Sequence, residues 1–164
     1  MADSKPISQT GIAGLDDVLG GGLTPHRVYL VEGDPGAGKT TLAIQYLMEG
    51  RRLGEPCLYV TLSETRVELE AVARSHNWSL DGIELVEVLA SEEELEPDNQ
   101  HTMFQAADVE LSSTTKSILS HVDRIKPTRV VIDSLSELRL LAQGSLRYRR
   151  QILAMKQFFI GRNC

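Results

Sequence analysis

The sequence predicts an α/β fold built on a parallel, doubly wound sheet, and three observations predict it. Short apolar runs rich in β-branched residues alternate along the chain with segments of helical periodicity, the order that parallel sheets require. One junction, Gly33-Asp-Pro-Gly-Ala-Gly-Lys-Thr-Thr41, is a complete G-x-x-x-x-G-K-[ST] loop between a strand-like run and a helix-like one. The run Val130-Val-Ile132 ends in a carboxylate, Asp133, at the kind of strand end outside which open parallel sheets bind ligands.

In chain order, residues 11–22, with Gly20, Gly21 and Gly22 at their end, suggest a short helix stopped by glycines. His26-Arg-Val-Tyr-Leu-Val-Glu32 reads as the strand entering the phosphate-binding loop, and Leu42 to Met48 as the helix leaving it. Pro56 to Leu62 is a buried strand by composition. Thr65-x-x-Glu68 is a capping box, after which Leu69, Val72 and His76 share a helical face. Gly82 to Leu89 is a shorter strand candidate. The acidic, aperiodic stretch Ser91 to His101, with Pro97, reads as a solvated loop, because no metal-ligand spacing is recognisable in it. Ser112 or Ser113 can cap a helix carrying Ile118, Val122 and Ile125, which Pro127 ends. Arg129 to Asp133 is a continuous apolar strand, and Ser145 to Gly161 a last helix with Ile152, Met155 and Phe159 inward.

The chain has 164 residues, which suits one domain. Apolar residues make up 41% and charged residues 24%, enough for a globular core. No apolar run approaches the roughly 18 residues of a membrane span, and the N-terminus lacks the apolar core of a secretory signal. Cys57 and Cys164 carry no metal spacing and read as free thiols of a reducing cytoplasm. A net charge of −6 argues against a charge-driven nucleic-acid binder. The one basic cluster beside an aromatic, Arg147-Tyr-Arg-Arg150, reads as a solvated helix face or a subunit contact before a nucleic-acid contact. Trp78 and Phe104 read as packing residues rather than a base platform.

The phosphate loop carries the chemistry. Gly33, Asp34, Pro35, Gly36, Ala37, Gly38, Lys39, Thr40 and Thr41 are expected to line a nucleoside triphosphate: glycines bring backbone N–H groups to the phosphates, and the helix start adds its positive dipole end. Lys39 is expected to reach the β- and γ-phosphates, and the Thr40 hydroxyl to ligate Mg²⁺. Asp133 suits the second metal position, directly or through water. Glu64, at the end of Val60-Thr-Leu-Ser63, is placed to polarise an attacking water; an acid favourable to a helix N-terminus is the other reading. Spacing alone leaves both open.

Four motifs taken together resemble the KaiC-like branch of the RecA superfamily of ATPases. They are Thr10-Gly-Ile-Ala-Gly-Leu-Asp-Asp-Val-Leu-Gly-Gly-Gly-Leu23, Gly33 to Thr41, Val60-Thr-Leu-Ser-Glu64 and Arg129-Val-Val-Ile-Asp-Ser-Leu-Ser-Glu137. The resemblance runs from about Thr10 to the last residue. It implies a RecA-like, three-layer αβα fold, ATP and Mg²⁺ as ligands, slow hydrolysis with Glu64 and Lys39 catalytic, and ring-shaped homo-oligomers, with a signalling protein as a possible partner. The clock protein of the family has two adjacent acids where this chain has Ser63 and Glu64, so only Glu64 inherits that role. Its phosphorylatable residues have no counterpart here, and a clock function does not follow. Three readings result: a slow ATPase driving an assembly or signalling switch, a nucleotide-dependent interaction module with little turnover, and a recombination-type ATPase on single-stranded DNA.

Residues 1–164 are expected to form the N-terminal portion of one such domain. After the last helix a parallel unit should enter another strand. In RecA-like sheets that strand, which carries a γ-phosphate sensor, lies between the phosphate-loop strand and the Asp133 strand. The chain is therefore expected to be truncated before the sensor strand, with an unfilled slot in its sheet.

Overall fold

Parallel pairing joins three five-residue strands, β1 (Cys57–Thr61), β2 (Ile83–Glu87) and β3 (Arg129–Asp133), in the order β2-β1-β3. The structure, a computed structural model, describes residues 6–88, 103–162 and 164, with no side-chain detail for 103–110. Around the sheet lie α1 (Ala13–Val18), α2 (Lys39–Arg52), α3 (Arg66–Ser75), α4 (Met103–Ile125), α5 (Leu135–Ala142) and α6 (Ser145–Phe159).

Strand side chains alternate between faces, and here each face has its own helical layer. Cys57 and Tyr59 of β1, Ile83 and Leu85 of β2 and Val131 of β3 pack with Ile44 and Leu47 of α2 and Leu69 of α3. On the other face, Leu58, Val60, Val86, Val130 and Ile132 meet Leu111, Ile118 and Val122 of α4, Leu138 and Ala142 of α5, and Met155 of α6. The result is a three-layer αβα arrangement, as the sequence predicts. Ile44, Leu47, Leu69, Ile118 and Leu138 are fully buried, each contributing about 1.5–3 kcal/mol of transfer free energy. Among the described residues no helix is long and apolar enough to cross a membrane.

The capping box at Thr65 forms as expected: the Thr65 hydroxyl accepts the Glu68 N–H, and the Glu68 carboxylate accepts the Thr65 N–H at 2.7 Å. On α3 the inward positions are Leu69, Val72 and Ala73; His76 is exposed and stacks on Trp78. Trp78 packs against the α2 side of the core.

Two further expectations are corrected, and one unexpected element is found. The run 26–32 forms no strand: Val28, Tyr29, Leu30 and Val31 are all exposed, at 55%, 47%, 67% and 48%. Its composition is that of a strand, but a strand persists only beside a hydrogen-bonding neighbour, and no described strand runs next to it. Among the described strands β3 correspondingly pairs with β1 alone. The helix expected from Ser112 or Ser113 instead begins at Met103, since nothing in between breaks it. Two of its hydroxyls turn back onto their own helix, Thr115 donating to Leu111 O at 2.8 Å and Ser120 to Ser117 O at 2.8 Å. A helix that the periodicity did not suggest, α5, follows β3 directly. The end of the strand candidate at Leu89, the stretch Ser91 to His101 and the Phe104 side chain lie outside the described residues.

Candidate functional site

The parallel register sets Thr61 level with Asp133, so β1 and β3 end side by side, and the chain leaves both at the same edge of the sheet. The ladder is extended there by Leu62 N–H donating to Asp133 O at 2.7 Å. The N-terminus of α2 arrives at this edge. Its first residues follow Gly36 and Gly38, whose φ of +79° and +84° suit glycine and would strain other residues. Gly38 is the N-cap of α2 and has no side chain to satisfy the helix's first N–H groups, which leaves them for an anion.

Lys39 opens α2 and folds back over the loop, its ammonium donating to Gly33 O and Asp34 O, both at 2.9 Å. Carbonyls are weak partners for an ammonium compared with phosphate oxygens, so this is a lysine held over the loop and ready to exchange. One residue on, the Thr40 hydroxyl donates to Asp133 Oδ2 at 2.9 Å across ninety-three positions of sequence. The pair expected from the motifs is thus brought together.

Glu64 sits just past β1 and is half-buried. Thr61 fixes its backbone: the Thr61 hydroxyl donates to Glu64 O at 2.7 Å and accepts the Glu64 N–H at 2.9 Å. Its side chain is less well served. Oε2 is buried with no hydrogen-bond partner among the described residues. Desolvation, then the neighbouring charges of Asp133 and Glu68, push its carboxyl above the ordinary 4.5. An acid with a raised pKa and a vacant acceptor is equipped to take a proton from water.

Sequence reasoning missed two residues of this edge. Tyr59 donates its hydroxyl to Asp133 Oδ2 at 2.7 Å, and Thr61 shapes the turn that carries Glu64. Burial, followed by its hydrogen bond to Asp133, keeps the Tyr59 phenol far above its ordinary pKa and so protonated. No spacing rule singles out either residue; the usable signal was a hydroxyl at alternate positions of an otherwise apolar strand, on the face that also carries Asp133. The basic cluster Arg147, Arg149 and Arg150 is exposed on α6, among the helices of the opposite layer from α2.

The residues present fit a metal–triphosphate ligand. No group of three or more His, Cys, Asp or Glu that could hold a metal alone exists among the described residues. A hydroxyl and one carboxylate do exist beside a phosphate loop, the sparse donor set typical of Mg²⁺ that is bound together with substrate phosphates.

Comparison with known proteins agrees with the geometry. The family described as "ATPase: KaiC" matches residues 8–164. The chain is 33% identical over 156 residues to the circadian clock oscillator protein KaiC of Thermostichus vulcanus, covering 94% of this chain and 29% of that protein. It is 29% identical over 164 residues to a UPF0273 protein of Thermotoga maritima, covering 95% of this chain and 66% of the relative. KaiC of Prochlorococcus marinus strain SARG is 35% identical over 131 residues, 77% of this chain and 25% of that protein. The chain thus spans less than a third of the KaiC proteins and about two thirds of the UPF0273 protein. With a family match over nearly its whole length, a phosphate loop and two carboxylates at one sheet edge, it belongs to the KaiC ATPase family of the RecA superfamily of P-loop ATPases.

Proposed function

We propose that this chain binds Mg-ATP on residues 33–41 and hydrolyses it slowly, using the cycle to switch an assembly or a signalling partner. The observation that carries this reading is the contact of Thr40 with Asp133 at 2.9 Å, with the unpaired Glu64 carboxylate at the same sheet edge. The residues divide the work. Backbone N–H groups of Gly36 to Thr40 cradle phosphate oxygens, and Lys39 leaves Gly33 O and Asp34 O to pair with them. Thr40 and Asp133 hold the divalent cation. Mg²⁺, when bound, offsets the negative charge of the β- and γ-phosphates. Glu64 orients water and accepts its proton, helped by its raised pKa.

Ser63, exposed where the clock protein has a first acid, favours slow turnover and supports a second reading, a nucleotide-dependent interaction module that barely hydrolyses. In either case copies of the chain are proposed to associate, as the family does in rings.

Titration with a fluorescent ATP analogue tests the reading. Lys39→Ala removes a charge-assisted contact of about 1.5–3 kcal/mol, so affinity is expected to fall at least about tenfold. Equal affinity in wild type and variant would sink the assignment. Turnover in the wild type then separates the two readings, since an undetectable rate favours the binding module.

A further inference from the structure

Asp133 receives two hydroxyl hydrogen bonds on one oxygen. Oδ2 accepts from Thr40 at 2.9 Å and from Tyr59 at 2.7 Å, whereas Oδ1 has no protein partner among the described residues. The phosphate-loop motif accounts for the threonine. Nothing in the motif accounts for the tyrosine.

Tyr59 lies in the middle of β1, opposite Val131 of β3. It is 1% exposed and packed among Ile44, Leu47 and Leu85. Those contacts are apolar, and a phenylalanine would satisfy them equally. The strand pleat puts Tyr59, Val131 and Asp133 on one face, so the phenol reaches along the sheet towards the carboxylate two residues beyond its cross-strand neighbour. A buried hydroxyl requires a partner, and this one is directed at a single oxygen of a single acid.

We propose that Tyr59 is a positioning residue for the divalent cation of this site: its hydroxyl, with that of Thr40, fixes Asp133 by Oδ2 and so presents Oδ1 to the cation or its bound water. The inference rests on the proposed metal role of Asp133. Without the phenol, the carboxylate keeps one hydroxyl donor and gains freedom to rotate about its last torsion, which is soft. Hydrogen-bond partners of metal-binding carboxylates typically change metal affinity by about 10- to 100-fold when removed.

Binding of a fluorescent ATP analogue, measured in EDTA and across a Mg²⁺ titration, tests this without reading catalysis. Wild type, Tyr59→Phe, Asp133→Asn and the double variant are compared. Wild-type affinity is expected to rise with Mg²⁺. Tyr59→Phe is expected to match wild type in EDTA yet need about tenfold more Mg²⁺ for half the enhancement. Asp133→Asn is expected to lose at least as much, and the double variant no more than Asp133→Asn alone. A wild-type Mg²⁺ midpoint in Tyr59→Phe overturns the inference and leaves the role of Asp133 standing. An equal loss in EDTA and Mg²⁺ overturns it in favour of packing, and a further loss on the Asp133→Asn background overturns it because the tyrosine then acts elsewhere. No Mg²⁺ enhancement in wild type overturns the metal role itself, and the inference with it.

Discussion

Two carboxylates meet at one sheet edge, and their surroundings push them to different tasks. Asp133 accepts two hydroxyl donors, whereas Glu64 Oε2 has no hydrogen-bond partner among the described residues. Desolvation disfavours an ionised acid, and with the neighbouring charges of Asp133 and Glu68 it raises Glu64 above 4.5. A raised acid is favourable to folding in its protonated form. That contribution is full below pH 4.5, the unfolded value, and is lost as pH rises through the folded value. Glu64→Gln is expected to raise Tm at neutral pH, with the gain vanishing below about pH 4.5. Turnover should fall about 10²–10⁴-fold with binding nearly unchanged. Differential scanning fluorimetry across pH, paired with a phosphate-release assay, checks both. Undiminished turnover would move the general-base role elsewhere. Asp133 stood out in the sequence because it ends the apolar run Val130 to Ile132, a one-dimensional signal. Spacing left two readings open for Glu64, and only the family resemblance singled it out. Tyr59 and Thr61 did not stand out, because a hydroxyl inside a strand acquires meaning only through cross-strand register.

Helix α2 ties the two ends of the sheet together, and one glycine permits it. Lys39 and Thr40 start the helix at the nucleotide edge; Gly50, near its other end, lies against Arg129 and Cys57. A Cβ on Gly50 would sit 2.5 Å from Arg129 Cδ and 2.7 Å from Cys57 Sγ. Arg129 is 1% exposed and cannot yield easily: it pairs with Glu55, donates from Nη1 to Gln9 O at 2.6 Å and Tyr46 O at 2.9 Å, and lies 4.6 Å over the Tyr46 ring. Glycine to alanine inside a helix normally gains about 1 kcal/mol. Here overpacking of about 1–3 kcal/mol, added to disturbance of a buried ion pair, outweighs it. Gly50→Ala is expected to lower Tm by about 2–8 °C in thermal unfolding, and a rise in Tm would show that Arg129 can shift. At this scale the elements most legible in sequence were those set by local chemistry. The capping box of α3, the apolar run of β3 and the glycines after α1 each act within a few residues. The start of α4 was misplaced because serines that often cap helices can also bond back to their own carbonyls within one. The run 26–32 was misread because its strand state depends on a neighbour that its own residues do not encode.

Among the described residues of the whole molecule, β1 has a strand on each side, whereas β2 and β3 are both edge strands. All five residues of the central β1 are buried, whereas in β3 only Arg129 is, the four from Val130 to Asp133 being half-buried. Among the described residues no strand lies beside the outer edge of β3, and Val28, Leu30 and Val31 present apolar side chains, each about half or more exposed. An exposed, apolar strand edge is a template for pairing with another chain, and strand-like segments without a partner are the natural material to fill it. The 164-residue chain is therefore expected to self-associate, with ATPase activity per chain that is weak while the edge remains unfilled. Light scattering on the purified chain, repeated with Val28 and Leu30 both changed to lysine, provides the measurement. Association that falls sharply in the double variant is the expected result, since like charges on an edge oppose pairing. A stable monomer in the wild type, with full turnover, would mean that the β3 edge and the 26–32 run meet within one chain.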